Sequence, residues 1–348
     1  MEKVKVLMIG PDRSVHGGIS AVVNNYYDAG IEEKVQLTYI GTMVEGSKLR
    51  KLLRAIHAYI RFCKALPDYP IVHINMASDS SYYRKSFFIR KAKKAGKKII
   101  IHQHGGDFET FYLHQQNDAG RARIQKVLNM ADVFLVLSPV LEKFFKEIIE
   151  SSKVILFPNT ISIPKKTDKE YGKQKILFLG RLCKEKGIQE LLQIMPELHE
   201  QYPDMKLLLG GIWEEEDLRV EAEKLSEYVI YLGWIEGQGK AEYLTLSDIF
   251  VFPTYFEGQP VSVLEAMGAG CAIAASRVGG IPQMIEHRKN GLLFEARNAQ
   301  ALRETLKLLL DDAELCKELG TNARLTVESK FAISDSLERL VEIYHGVL

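Results

Sequence analysis

Two glutamates stand eight positions apart in the stretch FEGQPVSVLEAMGAG, at Glu257 and Glu265. The preceding IFVFPTYF predicts a strand and its exit, and Pro260 is compatible with a first helical turn because it has no N–H to leave unpaired. Glu257 would then lie in a loop at the positive end of the helix, and Glu265 more than a turn further on. The two carboxylates can hold different parts of one elongated ligand, while the amides of residues 259–262 face an anion or a hydroxyl. Alternatively, Glu257 only favours a helix N-terminus and Glu265 is solvated.

A second strand–loop–helix stretch, FLGRLCKEKGIQELL, carries two cations, Arg181 and Lys186. A loop at the carboxyl end of a strand would present them beside helix amides, where the pair can neutralise a diphosphate without a metal ion. Taken alone, the stretch also fits an ordinary solvated loop. The chain contains no D-x-D motif. We therefore predict a site that needs neither a metal ion nor a cofactor.

The sequence HQHGGD places His102 and His104 on one face of a predicted strand, with Asp107 just after it. Zinc normally needs three or four well-placed ligands, so a metal site on these residues is the weaker alternative. One of the two histidines is expected to pack in the core, and a hydrogen-bonded loop histidine is the plain interpretation of the other.

Two adjacent glycines, Gly17 and Gly18 in VHGGIS, precede a predicted helix at 20–25. Glycine lets the backbone approach a phosphate or a sugar closely, although a tight strand–helix turn explains the pair equally well. The pattern is not G-x-G-x-x-G, which argues against a two-domain dehydrogenase.

Apolar runs that alternate with helix-like segments predict the elements that position these residues. Four runs fall in each half of the chain: KVKVLMIG, PIVHINM, KKIIIHQH and VFLVLS, then KILFLG, KLLLGG, YVIYLG and IFVFPT. Continuous apolar runs indicate parallel strands buried on both faces. The polar segment 158–172 is rich in breakers and predicts a linker. We expect an α/β fold of two doubly wound, Rossmann-like parallel-sheet domains facing across a cleft, with ligands at the carboxyl ends of the strands.

Composition limits the class of protein and its compartment. The 348 residues exceed one ordinary domain, and no uncharged apolar run approaches the ~20 residues of a spanning helix. The N-terminal MEKVKVLMIG is too charged and too short for a signal peptide, and four scattered cysteines fit reduced thiols, so we predict a cytoplasmic protein. Residues 1–165 hold 25 Lys and Arg against 15 Asp and Glu, a balance of +10, whereas 166–348 hold 21 against 30, a balance of −9. Two oppositely charged halves are expected to meet different partners.

Several segments together resemble one known family. GRLCKEKG, EGQPVSVLEAMGAG and GGIPQMIEHRKNGLLF look like the donor domain of glycosyltransferase family 4, a retaining group with the GT-B fold. LFPNTI resembles the segment of that family that enters the linker, and GPDRSVHGGIS resembles its N-terminal glycine loop. The resemblance covers nearly the whole chain and is strongest over 176–294. Gln259 and Pro260 replace the usual aromatic residue and glycine of the signature, and this departure bears on the identity of the donor sugar.

The resemblance implies a role for each domain. Residues 1–164 would bind the acceptor and 165–331 the nucleotide-sugar donor, with the last helix, 332–348, crossing back to the first domain. Glu257 would lie beside the transferred sugar, and Glu265 would contact the ribose hydroxyls. The remaining donor-binding positions that it implies are Gly17, Gly18, Gly258, Gln259, Pro260, Val261 and Ser262.

The same resemblance assigns the charged and imidazole groups. Arg181 and Lys186 would neutralise the leaving diphosphate, whose negative charge grows in the transition state. The family has a histidine near the donor sugar and its leaving group, and His104 fits that place better than His102.

The implied reaction is a retaining, hexosyltransferase-type transfer from a nucleotide-diphosphate sugar to a glycan or lipid-linked acceptor in polysaccharide or glycolipid biosynthesis, with UDP favoured over GDP. A Glu257 nucleophile would resemble the retaining glycosidase scheme, which needs a second close carboxylate that we do not find. We therefore favour front-face transfer, in which the leaving phosphate takes the acceptor proton. The alternatives are a nucleotide-sugar epimerase or hydrolase with the GT-B fold and a non-catalytic nucleotide-sugar binding module.

The predicted helix SKLRKLLRAIHAYIRFCKAL has one basic and one apolar stripe, and RKSFFIRKAKKAGKK adds eight cations. The basic stripe is Arg50, Arg54, His57, Arg61 and Lys64, and the apolar stripe is Leu49, Leu53, Ile56, Ile60 and Cys63. Two core-packed helices with solvated basic faces would explain both segments. The alternative is peripheral contact with an anionic membrane at its inner face, which fits a lipid-linked acceptor. Nucleic acid is a poorer fit because no stacking aromatics are interleaved in a known binding motif.

Overall fold

A computed structural model describes residues 3–165 and 169–348 and divides the chain into two compact units. The first unit is Met1–Ser162 together with Ala332–Leu348, and the second is Ile163–Phe331. The predicted linker at 158–172 includes residues 166–168, which lie outside the described residues.

The first unit is built on a six-stranded parallel sheet with the strand order β2-β1-β3-β4-β5-β6. Its strands are β1 Lys5–Gly10, β2 Gln36–Gly41, β3 Ile71–Met76, β4 Lys98–Gln103, β5 Val133–Val136 and β6 Val154–Leu156. Strands β3 and β4 are buried on both faces, which is why their sequences are continuous apolar runs rather than alternating ones. The strand order changes direction between β1 and β3, the point where ligands bind in doubly wound sheets.

Within residues 3–165, seven α-helices of the first unit precede the second unit in the chain. They are α1 Gly18–Asp28, α2 Ile31–Lys34, α3 Lys48–Ala65, α4 Asp79–Lys94, α5 Phe108–His114, α6 Asp118–Leu128 and α7 Pro139–Ile148. Side-chain caps fix several of their starts: Ser47 accepts a hydrogen bond from the Arg50 amide, and Ser138 accepts one from the Leu141 amide.

The second unit has its own six-stranded parallel sheet, with the order β12-β11-β10-β7-β8-β9. Its strands are β7 Lys175–Leu179, β8 Lys206–Gly210, β9 Val229–Gly233, β10 Ile249–Phe252, β11 Ala272–Ser276 and β12 Leu292–Phe294. If the six strands of this unit are renumbered from one in chain order, their order in the sheet is that of the Rossmann fold. The switch point lies between β7 and β10. The predicted fold class of two doubly wound parallel sheets is confirmed.

Two local predictions need correction. YVIYLG was expected to be a buried strand, but β9 is an edge strand, and Ile230 and Tyr231 are exposed because one side of an edge strand has no neighbour to cover it. Pro260 was placed in the first helical turn. It is instead the residue before the helix, with an extended backbone.

The helices of the second unit are α8 Ile188–Gln201, α9 Glu216–Lys224, α10 Gly237–Leu246, α11 Val261–Gly268, α12 Ile281–Met284, α13 Ala299–Asp311 and α14 Ala313–Lys330. The last helix, α15 Ile333–Gly346, belongs to the first unit. It buries Leu337, Leu340 and Tyr344 at helical spacing, and the Tyr344 hydroxyl lies 2.6 Å from Nδ1 of His73 in β3.

No helix within residues 3–165 and 169–348 combines the length and the apolar character that crossing a bilayer requires.

Candidate active site at the carboxyl ends of β7 and β10

An ion pair between Lys186 and Glu257 marks the switch point of the second sheet. Lys186 ends a short 3₁₀ turn after β7, and Glu257 lies in the loop after β10. Because β7 and β10 are neighbouring parallel strands, the loops at their carboxyl ends meet. The Lys186 ammonium donates to the Glu257 carboxylate, and the two side chains are only 11% and 22% exposed. A second, weaker contact joins the ammonium to the Thr254 hydroxyl at 3.5 Å.

Backbone contacts hold the two loops together beneath this pair. The Tyr255 amide donates to the Glu185 carbonyl at 2.9 Å. Gly187 has a positive φ of 72°, and a Cβ there would lie 2.1 Å from the carbonyl oxygen of Pro253. Only glycine satisfies both the backbone angle and the close approach. The pairing of Lys186 with Glu257 therefore rests on Gly187.

The loop after β11 packs closely against the Glu257 loop at Gly279 and Gly280. A Cβ on Gly279, whose φ is 52°, would lie 1.7 Å from the Glu257 carbonyl oxygen, and one on Gly280 would lie 1.8 Å from that of Gly258. The Gly280 amide also donates to the Glu257 carbonyl at 3.3 Å. Gly279 and Gly280 contributed to the sequence prediction only through the family resemblance, although two adjacent glycines also indicate close backbone packing.

Glu265 has a partner of its own. It lies in α11 and accepts a hydrogen bond of 2.6 Å from Lys240 of α10, which follows β9. The two predicted glutamates therefore bind different lysines on different elements. The segment GQGKAEYLTL contains no motif that distinguishes Lys240 from a solvated lysine, so the sequence does not predict this contact.

Arg181 does not join Lys186. The loop after β7 directs its guanidinium to Glu214, 2.9 Å away in the loop after β8, and to Glu185 at 3.7 Å. In the described part of the chain, the two predicted cations therefore have different partners: Arg181 contacts Glu214 and Glu185, and Lys186 contacts Glu257. A diphosphate that binds Arg181 must compete with Glu214, an exposed partner whose pairing is weak in water.

The start of α11 supplies backbone donors next to Glu257. Pro260 precedes the helix, and no side chain caps its first turn. The first amides of a helix lack intrahelical partners and carry partial positive charge. Of the predicted contact positions here, Gly258, Gln259, Pro260 and Val261 are buried and Ser262 is half-buried.

In the first unit, His104 lies at the end of a row of buried imidazoles. Its Nε2 is 2.9 Å from Oδ1 of Asn75, and its ring centroid is 4.0 Å from that of His102. The His102 ring lies 5.7 Å from His73. Neither ring nitrogen of His102 has a hydrogen-bond partner within the described residues. His102 packs in the core, as expected for one of the two histidines, whereas His104 lies just beyond the end of β4 and is partly exposed.

Desolvation keeps this row neutral. Burial lowers the pKa of His73 and of His104 to about 3, with His73 adding to the effect on His104. Burial, with neighbouring His104, also lowers the pKa of His102 well below its usual value. A neutral His104 can hydrogen-bond a hydroxyl but does not neutralise a phosphate.

The other predicted positions of the first unit lie at the starts of helices. Asp107, the third member of the alternative metal site, accepts a hydrogen bond of 2.7 Å from Ser78. Within residues 3–165 and 169–348, no group of three or more His, Cys, Asp or Glu side chains is arranged to hold a metal ion. Gly17 has an extended backbone and precedes α1, while Gly18 begins it. A Cβ at either glycine would meet no atom within 4 Å, so both lie beside open space.

Acid should destabilise the first unit through its buried imidazoles. Their folded pKa values lie below the unfolded value of about 6.5, so below that pH the unfolded chain binds more protons. The free energy of unfolding should fall as the pH drops from about 6.5 toward about 3, the pKa of His73 and His104, and His102 adds to the loss in the same direction. Thermal unfolding midpoints across this range measure the effect.

The variant His102→Leu should reduce the fall in the free energy of unfolding by the contribution of one histidine. The variant His345→Gln, at an exposed position, should leave that fall unchanged. Equal pH dependence in wild type and His102→Leu would contradict the neutral row.

Comparison with known proteins gives the arrangement a context. Residues 159–326 match the family described as glycosyl transferases group 1. An uncharacterized glycosyltransferase of Haemophilus influenzae is 28% identical over 221 residues, covering 62% of this chain and 61% of that protein. The N,N'-diacetylbacillosaminyl-diphospho-undecaprenol alpha-1,3-N-acetylgalactosaminyltransferase of Campylobacter jejuni is 34% identical over 184 residues, covering 53% of this chain and 46% of that protein. The chain thus spans less than two thirds of the length of either relative.

Among solved structures, HepE of Anabaena in complex with UDP and glucose superposes with a TM-score of 0.77 at 14% identity, covering 98% of this chain and 99% of HepE. At this identity the similarity establishes the fold, which is GT-B.

Proposed function

Because residues 159–326 belong to the glycosyl transferases group 1 family, we propose that the chain is a retaining glycosyltransferase that moves a sugar from a nucleotide-diphosphate sugar to an acceptor. The observation that carries this proposal is the Lys186–Glu257 pair, which lies at the switch point of the second sheet beside the uncapped start of α11. A cation, a carboxylate and helix amides meet there, and this is the chemistry that a sugar diphosphate requires.

The donor binds the second unit. Lys186 and Arg181 take the diphosphate, the backbone of residues 258–262 faces the sugar and distal phosphate, and Glu265 accepts hydrogen bonds from the ribose. UDP is preferred over GDP, in keeping with the UDP found in HepE. Gly17 and Gly18 leave space on the first unit for the donor to approach.

Donor binding changes the partner of Lys186. The lysine is shared between Glu257 and the arriving phosphate, and the two negative charges of a diphosphate attract it more strongly than one carboxylate does. Glu257 then accepts a hydrogen bond from the donor sugar and orients it. Donor binding therefore releases Glu257 from Lys186 and allows it to contact the sugar.

The transfer proceeds on one face of the sugar. The bond between the anomeric carbon and the phosphate oxygen breaks as the acceptor oxygen bonds to that carbon on the same face, and the leaving phosphate takes the acceptor proton. Lys186, Arg181 and the amides of α11 stabilise the charge that develops on the phosphate. Neutral His104 hydrogen-bonds a hydroxyl of the donor sugar near its leaving group.

The acceptor is a glycan or a lipid-linked sugar and binds the first unit. The C. jejuni relative, whose name specifies a diphospho-undecaprenol acceptor, supports the lipid-linked class. We place the protein in the cytoplasm, in peripheral contact with the inner face of the membrane.

Nucleotide sugars should stabilise the protein against heat, because a ligand that binds only the folded chain adds about 2.7 kcal/mol at a concentration of 100 Kd. We expect a higher unfolding midpoint with UDP-sugars than with GDP-sugars, and no response to free hexoses. Lys186→Met should remove most of the shift, whereas Lys317→Met, at an exposed lysine of α14, should keep it. Silence across a broad donor panel would refute donor binding, and sugar release or isomerisation without acceptor would favour a hydrolase or epimerase.

Glu257→Gln should lower kcat by about two to three orders of magnitude, since it removes a charge positioned against the reacting sugar. It also leaves Lys186 without its carboxylate partner, so the folded state is checked by circular dichroism and by the donor-induced shift. Glu314→Gln, at a solvated glutamate, is the matched control. A near-normal turnover in Glu257→Gln would end the assignment.

Activity should persist in excess EDTA, because side-chain cations and helix amides neutralise the diphosphate. Turnover is measured after chelation and again after Mg²⁺ or Mn²⁺ is restored. Loss on chelation followed by recovery with either ion would show that a metal performs this task.

A further inference from the structure

Helix α3 carries its apolar stripe on the outside of the protein. The large side chains Leu49, Leu52, Leu53, Ile56 and Ile60 recur at helical spacing and remain 49–66% exposed. A helix on a protein surface normally turns such a stripe toward the core. Of the two interpretations of this helix from sequence, the core-packed helix with a solvated basic face is therefore wrong.

The orientation of α3 is fixed by the contacts on its opposite side. Ala58 and Phe62 are its buried residues, and Phe62 packs edge-to-face on Phe88 of α4 at 5.0 Å. Arg54 is held by Asp12 and by the Gly41 carbonyl, so it does not belong to the free basic stripe predicted from sequence. Rotating α3 to bury its leucines would break each of these contacts.

Cations flank the exposed stripe, and α3 contains no acidic residue. Five basic side chains of the helix are exposed: Lys48, Arg50, Lys51, Arg61 and Lys64. Among the described residues, none of these five forms an ion pair with a carboxylate. α4, which packs on α3, adds exposed Phe87 and Arg90.

We propose that α3 lies flat in the interface of an anionic lipid bilayer, with the leucine and isoleucine stripe among the acyl chains and the flanking cations on lipid phosphates. An amphipathic helix with an apolar face and a basic border binds membranes by the sum of apolar burial and attraction to anionic headgroups. The occupant is a bilayer rather than a second copy of this chain, because a two-fold pairing of α3 would bring like charges together. This inference deepens the proposed lipid-linked acceptor, since it brings the first unit to the surface where such acceptors reside.

Vesicle co-sedimentation tests the proposal with the full chain and no sugar donor or acceptor. Wild type should bind vesicles of equal parts phosphatidylcholine and phosphatidylglycerol, bind pure phosphatidylcholine weakly, and dissociate as salt is raised. The triple variant Leu53→Gln, Ile56→Gln, Ile60→Gln should bind these vesicles at least about tenfold more weakly, because three inserted side chains are lost. The triple variant Val220→Gln, Leu308→Gln, Leu325→Gln replaces exposed apolar residues of the second unit and should bind like wild type.

Equal vesicle binding by the α3 triple variant and wild type overturns the proposal. So does equal binding to neutral and anionic vesicles, or a wild-type dimer that the α3 variant dissociates while neither protein binds vesicles. Both triple variants should keep the wild-type unfolding midpoint and the donor-induced shift. A failed vesicle test therefore does not contradict the proposed glycosyl transfer. Likewise, the absence of a donor-induced shift does not contradict membrane binding by α3.

Discussion

The contact between Lys186 and Glu257 depends on how closely three loops approach one another at one edge of a parallel sheet. Taking two charges partly out of water is costly, and their attraction repays the cost only when the geometry is held in advance. Here the backbone holds it. Gly187 lies against the Pro253 carbonyl, and Gly279 lies against the carbonyl of Glu257 itself. A side chain at either glycine would displace the loop and separate the charges. The geometry of the ion pair therefore depends on the two glycines.

Charge pairing at this edge limits the ligands that could bind there. Lys186, Glu265 and Arg181 each contact an oppositely charged side chain, and Arg181 contacts two. A ligand that enters must offer each group something better than its present partner. A neutral sugar offers Lys186 too little, whereas a diphosphate offers two charges and several acceptor oxygens to one lysine and several amides. The exposed Arg181–Glu214 pair is the easier one to exchange, because water already weakens it.

Periodicity was enough to predict the fold class, because parallel strands covered on both faces are continuous apolar runs, as in IVHINM and KIIIHQ. Periodicity gave a wrong prediction at β9, because this edge strand has a similar apolar sequence but several of its side chains are exposed. The site is harder to predict, since Lys186 and Glu257 are 71 residues apart and meet only because β10 is placed beside β7. The pairing of Lys240 with Glu265 and the diversion of Arg181 to Glu214 depend on strand order in the same way. Their residue types were visible in the sequence, but their partners were not.

Helix α3 shows why a pattern alone does not tell which side of a helix meets the protein. Its spacing predicts two stripes, but the buried face is the one that carries Ala58 and Phe62, and Phe62 packs on Phe88. The exposed leucines do not oppose folding, because the unfolded chain exposes them as well. They do raise the free energy of the folded chain in water relative to any state in which the stripe is covered. The fold therefore tolerates the stripe and at the same time stores a driving force for association. The charge of the first 165 residues, +10, directs that association toward an anionic surface.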